Sequence, residues 1–152
     1  MRSSGTFSIA TAANRGDTSI IKQLPLRRIK ERIVGKRYAL SLVFVGARRM
    51  RALNLAYRAE DSPTNILSFP LGEGTGEIFM HRKSARAEAR RFGMANVPFL
   101  TFLFIHGLLH LKGYRHGSTM EREEVRYCKL FSISHPTQRV AHLSHRAKLK
   151  TM

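Results

Sequence analysis

VPFLTFLFIHGLLHLKGYRHG, residues 97–117, is the stretch on which the fold turns. It contains the most apolar run of the chain, about 15 residues long and interrupted by His106 and His110. A bilayer span needs ~20 apolar residues, so the run reads as a core helix and not as a membrane crossing. Pro98 is tolerated in a first turn, and Gly113 supplies the left-handed or tight turn that stops a helix. The pattern predicts a helix over 98–112 that carries two imidazoles, with a third just beyond it.

Outward from that helix, the chain alternates strand and helix signals. TFSIATA (6–12) reads as a modest strand. Residues 19–34 place Ile21, Leu24, Ile29 and Ile33 at helical spacing, with Pro25 a doubtful helix-interior residue. RYALSLVFVG (37–46) is the best strand, rich in β-branched and aromatic residues. Helical spacing returns over 47–58 through Met50, Leu53 and Tyr57, and AEDSPTN (59–65) is a loop by its turn chemistry. Strands follow at 66–71 and 77–81 across the Gly-rich GEGTG, then a basic helix from 82 to about 93. A last helix is expected over 119–131. The fold class is α+β: a small mixed sheet of about four strands with helices packed on it. No repeat or linker divides the chain, so residues 1–134 form one domain. Residues 135–152, basic and without acids, form a poorly ordered tail.

At 152 residues the chain is long enough to bury a real core. Its 43% hydrophobic content separates it from disordered sequences. Lys and Arg number 27 against 10 acids, a net charge of +17. So large a basic excess suits a polyanion, above all nucleic acid. The lone Cys128 excludes an internal disulfide and a cysteine-based zinc site, and reads as a reduced, inert thiol. The first 19 residues lack the continuous apolar core of a secretory signal. A cytoplasmic protein without a membrane partner is expected.

The histidines carry the chemistry. His106 and His110 stand four apart, so their side chains leave one helix face a turn apart. Gly113 lets the chain fold back so that His116 reaches the same point. Three neutral imidazoles suit zinc and leave a fourth position open, as in a catalytic rather than a closed structural site. The spacing H-x-x-x-H-x-x-G-x-x-H is also that of the metzincin peptidases, which place Glu directly after the first His. Here that residue is Gly107, so the metal reading stands and the peptidase reading lacks its base. His81 reads as structural. His135, His142 and His145 fall in the polar tail and read as solvated.

HGLLHLKGYRH (106–116) resembles the H-G-x-L-H-L-x-G-Y-D-H signature of the YbeY family, metal-dependent endoribonucleases of bacterial ribosomal RNA maturation. LNLAYRAEDSPTNILSFP (53–70) is similar to a second hallmark of that family, L-N-x-x-Y-R-x-x-D-x-P-T-[DN]-V-L-S-F, and GEI (76–78) sits where the family has a G-D/E-I strand. The resemblance spans about residues 38–131. It implies one zinc ion per chain, held by His106, His110 and His116. It implies that Arg58 is the catalytic arginine, a guanidinium able to clamp a phosphodiester oxygen. Thr64, Asn65, Ser68 and Arg115 are implied as substrate-binding residues.

The implied activity is hydrolysis of single-stranded RNA in maturation of the 16S ribosomal RNA 3′ end and in ribosome quality control. The implied partners are single-stranded and ribosomal RNA, and the ribosome or small-subunit assembly proteins. One departure stands out: Arg115 replaces the family's Asp. If that Asp orients a ligand imidazole, its loss costs ~10–100-fold in metal affinity or activity. If it only caps the turn, little changes. Two other readings fit the same residues: a non-catalytic RNA- or ribosome-binding assembly factor with a structural metal, and a zinc peptidase-like hydrolase.

Overall fold

The computed structural model describes residues 5–11, 22, 24–59 and 64–139. In chain order the elements are β1 (Phe7–Thr11), α1 (Leu26–Ile33), β2 (Ala39–Phe44), α2 (Ala47–Arg58), β3 (Ile66–Gly72), β4 (Thr75–Met80), α3 (Arg82–Arg91), α4 (Asn96–Leu111), α5 (Ser118–Leu130) and the single turn α6 (Pro136–Arg139). The strands form one mixed sheet in the order β1-β2-β4-β3. β1, β2 and β4 run parallel, and β3 pairs antiparallel with β4 through a hairpin at its free edge. The α+β layout with four strands is the one the sequence predicts.

Alternation along the strands builds two cores. Leu40, Leu42 and Phe44 of β2, Ile66 of β3 and Ile78 of β4 point into the main core with the α4 side chains. Leu67 and Phe79 point to the opposite face, where they meet Val45 and Met50 in a smaller cluster beneath α2. β3 therefore has α4 against one face and the α2 cluster against the other.

The helix predicted over 98–112 forms as α4, Asn96–Leu111. From Phe99 to Leu109 every residue of α4 is buried, and the helix packs against α1, α3, α5 and β3. Full burial of a Phe or Leu side chain contributes ~1.5–3 kcal/mol, so this helix anchors the main core. Pro98 lies in its first turn, as expected. Gly107 lets the helix sit close on the sheet: a Cβ there would stand 2.8 Å from Ile66 Cδ1 and 2.9 Å from Ser68 Oγ.

Two expectations need correction. The helix predicted over 19–34 with Pro25 inside begins instead at Leu26, with Pro25 as its N-cap. Proline costs little there, because an N-cap amide has no intrahelical acceptor. Most of the N-terminal half of that prediction lies outside the described residues. The second correction is His135, which is 2% exposed rather than solvated. The cause is the end of α5, where Ser132 takes a left-handed φ of 62°. Ser132 N–H then donates to the Lys129 carbonyl and Ile133 N–H to that of Cys128, a double closure that turns the chain back over the helix. Residues 140–152, with His142 and His145, lie outside the described residues.

Candidate metal centre

The end of α4 is shaped by glycine. Gly113 has φ +108°, and its N–H donates to the His110 carbonyl at 3.0 Å. Tyr114 N–H donates to the Leu109 carbonyl at 3.0 Å. These two bonds make a Schellman closure. The reversal brings the Tyr114 carbonyl to His110 Nδ1 and carries His116 back beside His110.

The three imidazoles meet there. Nε2 of His110 lies 3.2 Å from Nε2 of His106 and 3.0 Å from Nε2 of His116, and the third side of the triangle is 3.4 Å. Their hydrogen-bond partners fix what those nitrogens can do. His106 Nδ1–H donates to Glu124 Oε2 at 2.5 Å, and His110 Nδ1–H donates to the Tyr114 carbonyl at 3.0 Å. With the proton on Nδ1, each neutral ring turns the Nε2 lone pair inward. Lone pairs facing one another repel, and a cation between them reverses the sign. Nitrogens ~2.0–2.1 Å from a divalent ion at tetrahedral angles stand ~3.3 Å apart, which matches the triangle. The three residues fit a metal ion, and the site runs from buried His106 to exposed His116. The opening to solvent is where a fourth ligand or a substrate would enter.

Glu124 is the functional residue that sequence reading missed. It sits on α5, is 6% exposed, and uses both oxygens: Oε2 accepts from His106, and Oε1 accepts from His135 Nε2–H at 2.8 Å. Burial alone would raise its pKa, but the hydrogen bonds from His106 and His135 outweigh that and hold the carboxyl at about 2. The available signal was its helical spacing, which sets Glu124 one turn beyond Met120 on the buried side of α5. One glutamate among the three of that helix gave no reason to single it out. Cys128, one turn further on, is buried and pushed up to about 12 by burial and by Glu124, an inert thiol as expected.

The other expected site residues lie on α2, at the start of and within β3, and in the turn after α4. Arg58 is the last residue of α2, half-buried, before the left-handed Ala59. Thr64 and Asn65 are buried where the chain enters β3. Ser68 is buried on the β3 face toward α4, and its hydroxyl donates to the Gly107 carbonyl at 3.1 Å. Arg115 is exposed in the turn before His116. Position 115 therefore orients neither His106 nor His110; Glu124 and the Tyr114 carbonyl do. His81 is buried and bonds Ser84 Oγ at the start of α3, a structural histidine as expected.

Gly107 also bears on the peptidase reading. A residue after the first His would have to reach the metal to act as base. Here its Cβ direction runs into Ile66, Ser68 and Ile78 of the sheet.

His110 makes a pH prediction for the metal-free protein. Burial first, then His106 and His116, lower its pKa to about 4. An unfolded histidine titrates near ~6.5. Between those values the unfolded chain binds a proton that the folded chain refuses, so stability rises with pH and is complete above ~6.5. Denaturant unfolding of the chelator-treated protein should show stability falling steadily from pH 7 to pH 4 as the unfolded chain takes up this proton. Glu124, held low, adds a further loss as pH falls from ~4.5 toward 2. A flat profile from pH 7 to pH 4 would contradict the packing of His110.

A family profile described as Endoribonuclease YbeY matches residues 10–130. Endoribonuclease YbeY of Chelativorans sp. (strain BNC1) is 38% identical over 96 residues, covering 57% of this chain and 59% of that protein. The protein of the same name from Geobacter metallireducens is 33% identical over 138 residues, 80% of this chain and 92% of its own length. The matches to Chelativorans and to Allorhizobium ampelinum span less than two thirds of those relatives, 59% and 57%. A Thermotoga maritima protein solved in solution shares the fold, with a TM-score of 0.58 at 23% identity over 93% of this chain and 99% of that one. Among the described residues no single helix is long and apolar enough to cross a membrane.

Proposed function

The chain belongs to the YbeY family, and from that membership and the site we propose a zinc-dependent endoribonuclease that cuts single-stranded RNA in ribosomal RNA maturation. The observation that carries this reading is the triangle of inward Nε2 atoms, 3.0–3.4 Å apart, on a chain of net charge +17. His106, His110 and His116 would hold the ion. When bound, zinc supplies Lewis-acid chemistry: it polarises a phosphoryl oxygen and lowers the pKa of water toward ~7.

The rest falls to the chain's own residues. Glu124 and the Tyr114 carbonyl keep two ligand rings in the Nδ1–H form. Glu124 is not the general base, since both its oxygens already accept hydrogen bonds. Arg58 would clamp the scissile phosphate, with a planar fork that matches two of its oxygens. The basic surface would draw in RNA, with affinity that falls steeply with salt. The 16S 3′ end, ribosome quality control, small-subunit assembly partners and a cytoplasmic location are the family's setting, and we propose them for this chain too.

Arg58→Ala tests the clamp. It should lower cleavage of a single-stranded RNA by ~10²-fold or more and leave zinc content unchanged. Undiminished cleavage would remove Arg58 from the mechanism. RNA bound but uncut by the zinc-loaded wild type would instead favour a non-catalytic assembly factor.

A further inference from the structure

We propose that His135 is a positioning residue of the metal centre, acting through Glu124 on His106, so that metal affinity depends on the docked segment after α5. The proposal rests on the reading of the histidine triangle as a metal site.

Hydrogen-bond direction fixes the chain of contacts. Thr137 N–H donates to His135 Nδ1 at 3.2 Å, and the Thr137 hydroxyl lies 2.6 Å from the same nitrogen. An amide N–H can only donate, so His135 Nδ1 must accept, and the ring proton is placed on Nε2. That proton is given to Glu124 Oε1 at 2.8 Å. Glu124 Oε2 in turn receives the Nδ1 proton of His106, which leaves His106 Nε2 facing the other two ligands.

All three members are buried: His106 is 3% exposed, Glu124 6% and His135 2%. Phe102 is a shared wall, its ring centroid 5.9 Å from that of His106 and 5.1 Å from that of His135. A carboxylate in such surroundings must have its oxygens satisfied. Without His135, Oε1 would lose its donor, and Glu124 could rotate to share its remaining bonds. The His106 ring would then lose the contact that fixes its tautomer and angle. Groups that orient metal ligands in this way typically matter ~10–100-fold to affinity.

The segment Ile133–Thr137 reaches this position only through the left-handed turn at Ser132. The last turn of the described chain is thereby tied to the ligand helix by two hydrogen bonds through one carboxylate.

The test is a zinc titration of the chelator-stripped, full-length protein in competition with a chromophoric chelator. His135→Phe keeps the ring against Phe102 and removes the donor; it should weaken zinc binding by ~10-fold. His135→Gln retains an N–H donor and should remain within ~3-fold of the wild type. Because His135 acts only through Glu124, the double variant Glu124→Gln, His135→Phe should bind zinc no more weakly than Glu124→Gln alone. Wild-type affinity in His135→Phe, or losses that simply add, would overturn the proposal. A wild type that takes up no zinc would overturn it together with the metal reading, whereas equal affinity of wild type and His135→Phe would remove His135 alone. One measurement needs no variant: imidazole nitrogen shifts of the metal-free wild type should show His135 protonated on Nε2. Protonation on Nδ1 would refute the relay even if both variants fail to fold.

Discussion

His110→Ala should empty the metal centre and reduce RNA cleavage by on the order of 100-fold or more. Loss of a group that merely orients a ligand already costs ~10–100-fold, and His110 is one of the three proposed ligands, the residue whose Nε2 is closest to both others. Two nitrogens 3.4 Å apart would remain, one of them on exposed His116, too few for a site that needs three protein ligands. The fold should survive the change. His110 is the most solvent-reaching of the two α4 ligands, and alanine has the best helix propensity. The variant should even gain stability below pH ~6.5 in chelator, since it no longer carries an imidazole that resists protonation. Zinc content by mass spectrometry, cleavage of a single-stranded RNA and a melting curve separate these effects. Cleavage at the wild-type rate would mean that the triad is not catalytic.

Gly107→Glu should destroy the protein rather than convert it. The substitution would complete a metzincin-like H-E-x-x-H, and a motif reading would anticipate peptidase activity. The structure predicts otherwise. Even the first carbon of the new side chain would lie 2.8 Å from Ile66 Cδ1, 2.9 Å from Ser68 Oγ and 3.1 Å from Ile78 Cδ1. Overpacking of that kind costs ~1–3 kcal/mol for a single added group. The rest of a glutamate would be a carboxylate pressed into a site walled by Ile66 and Ile78, a cost of several kcal/mol more. A domain of this size has ~5–15 kcal/mol in hand. The expected result is a chain that is insoluble or melts far below the wild type, with Gly107→Ala intermediate. A well-folded Gly107→Glu protein would show that α4 does not sit on β3 as described.

The fold was legible because its decisive helix is unambiguous. An apolar run with proline at its start and glycine after its end has few other ways to fold, and β2 and α2 fall within two residues of their predicted bounds. The cluster of three histidines was equally legible, since two at i, i+4 and a glycine-turned third are local geometry. What the sequence hid was non-local. Glu124 lies 18 residues from His106 and His135 another 11 beyond, and only the turn at Ser132 brings the last of these back. A serine in a left-handed conformation carries no sequence signal comparable to glycine's, so the chain from 135 onward read as a tail. The question left open at Arg115 is answered for two of the rings. A carboxylate at that position could have oriented a ligand imidazole or only capped the turn, and the groups that orient His106 and His110 are Glu124 and a backbone carbonyl.

The most direct test is to strip the purified protein with a chelator, add back zinc in measured steps, and follow cleavage of one single-stranded RNA at each step. Activity should vanish on stripping and return in proportion to zinc, saturating at about one ion per chain, with no recovery in His110→Ala. Full cleavage by the stripped protein, or recovery in the variant equal to the wild type, would contradict a metal-dependent nuclease built on these three histidines.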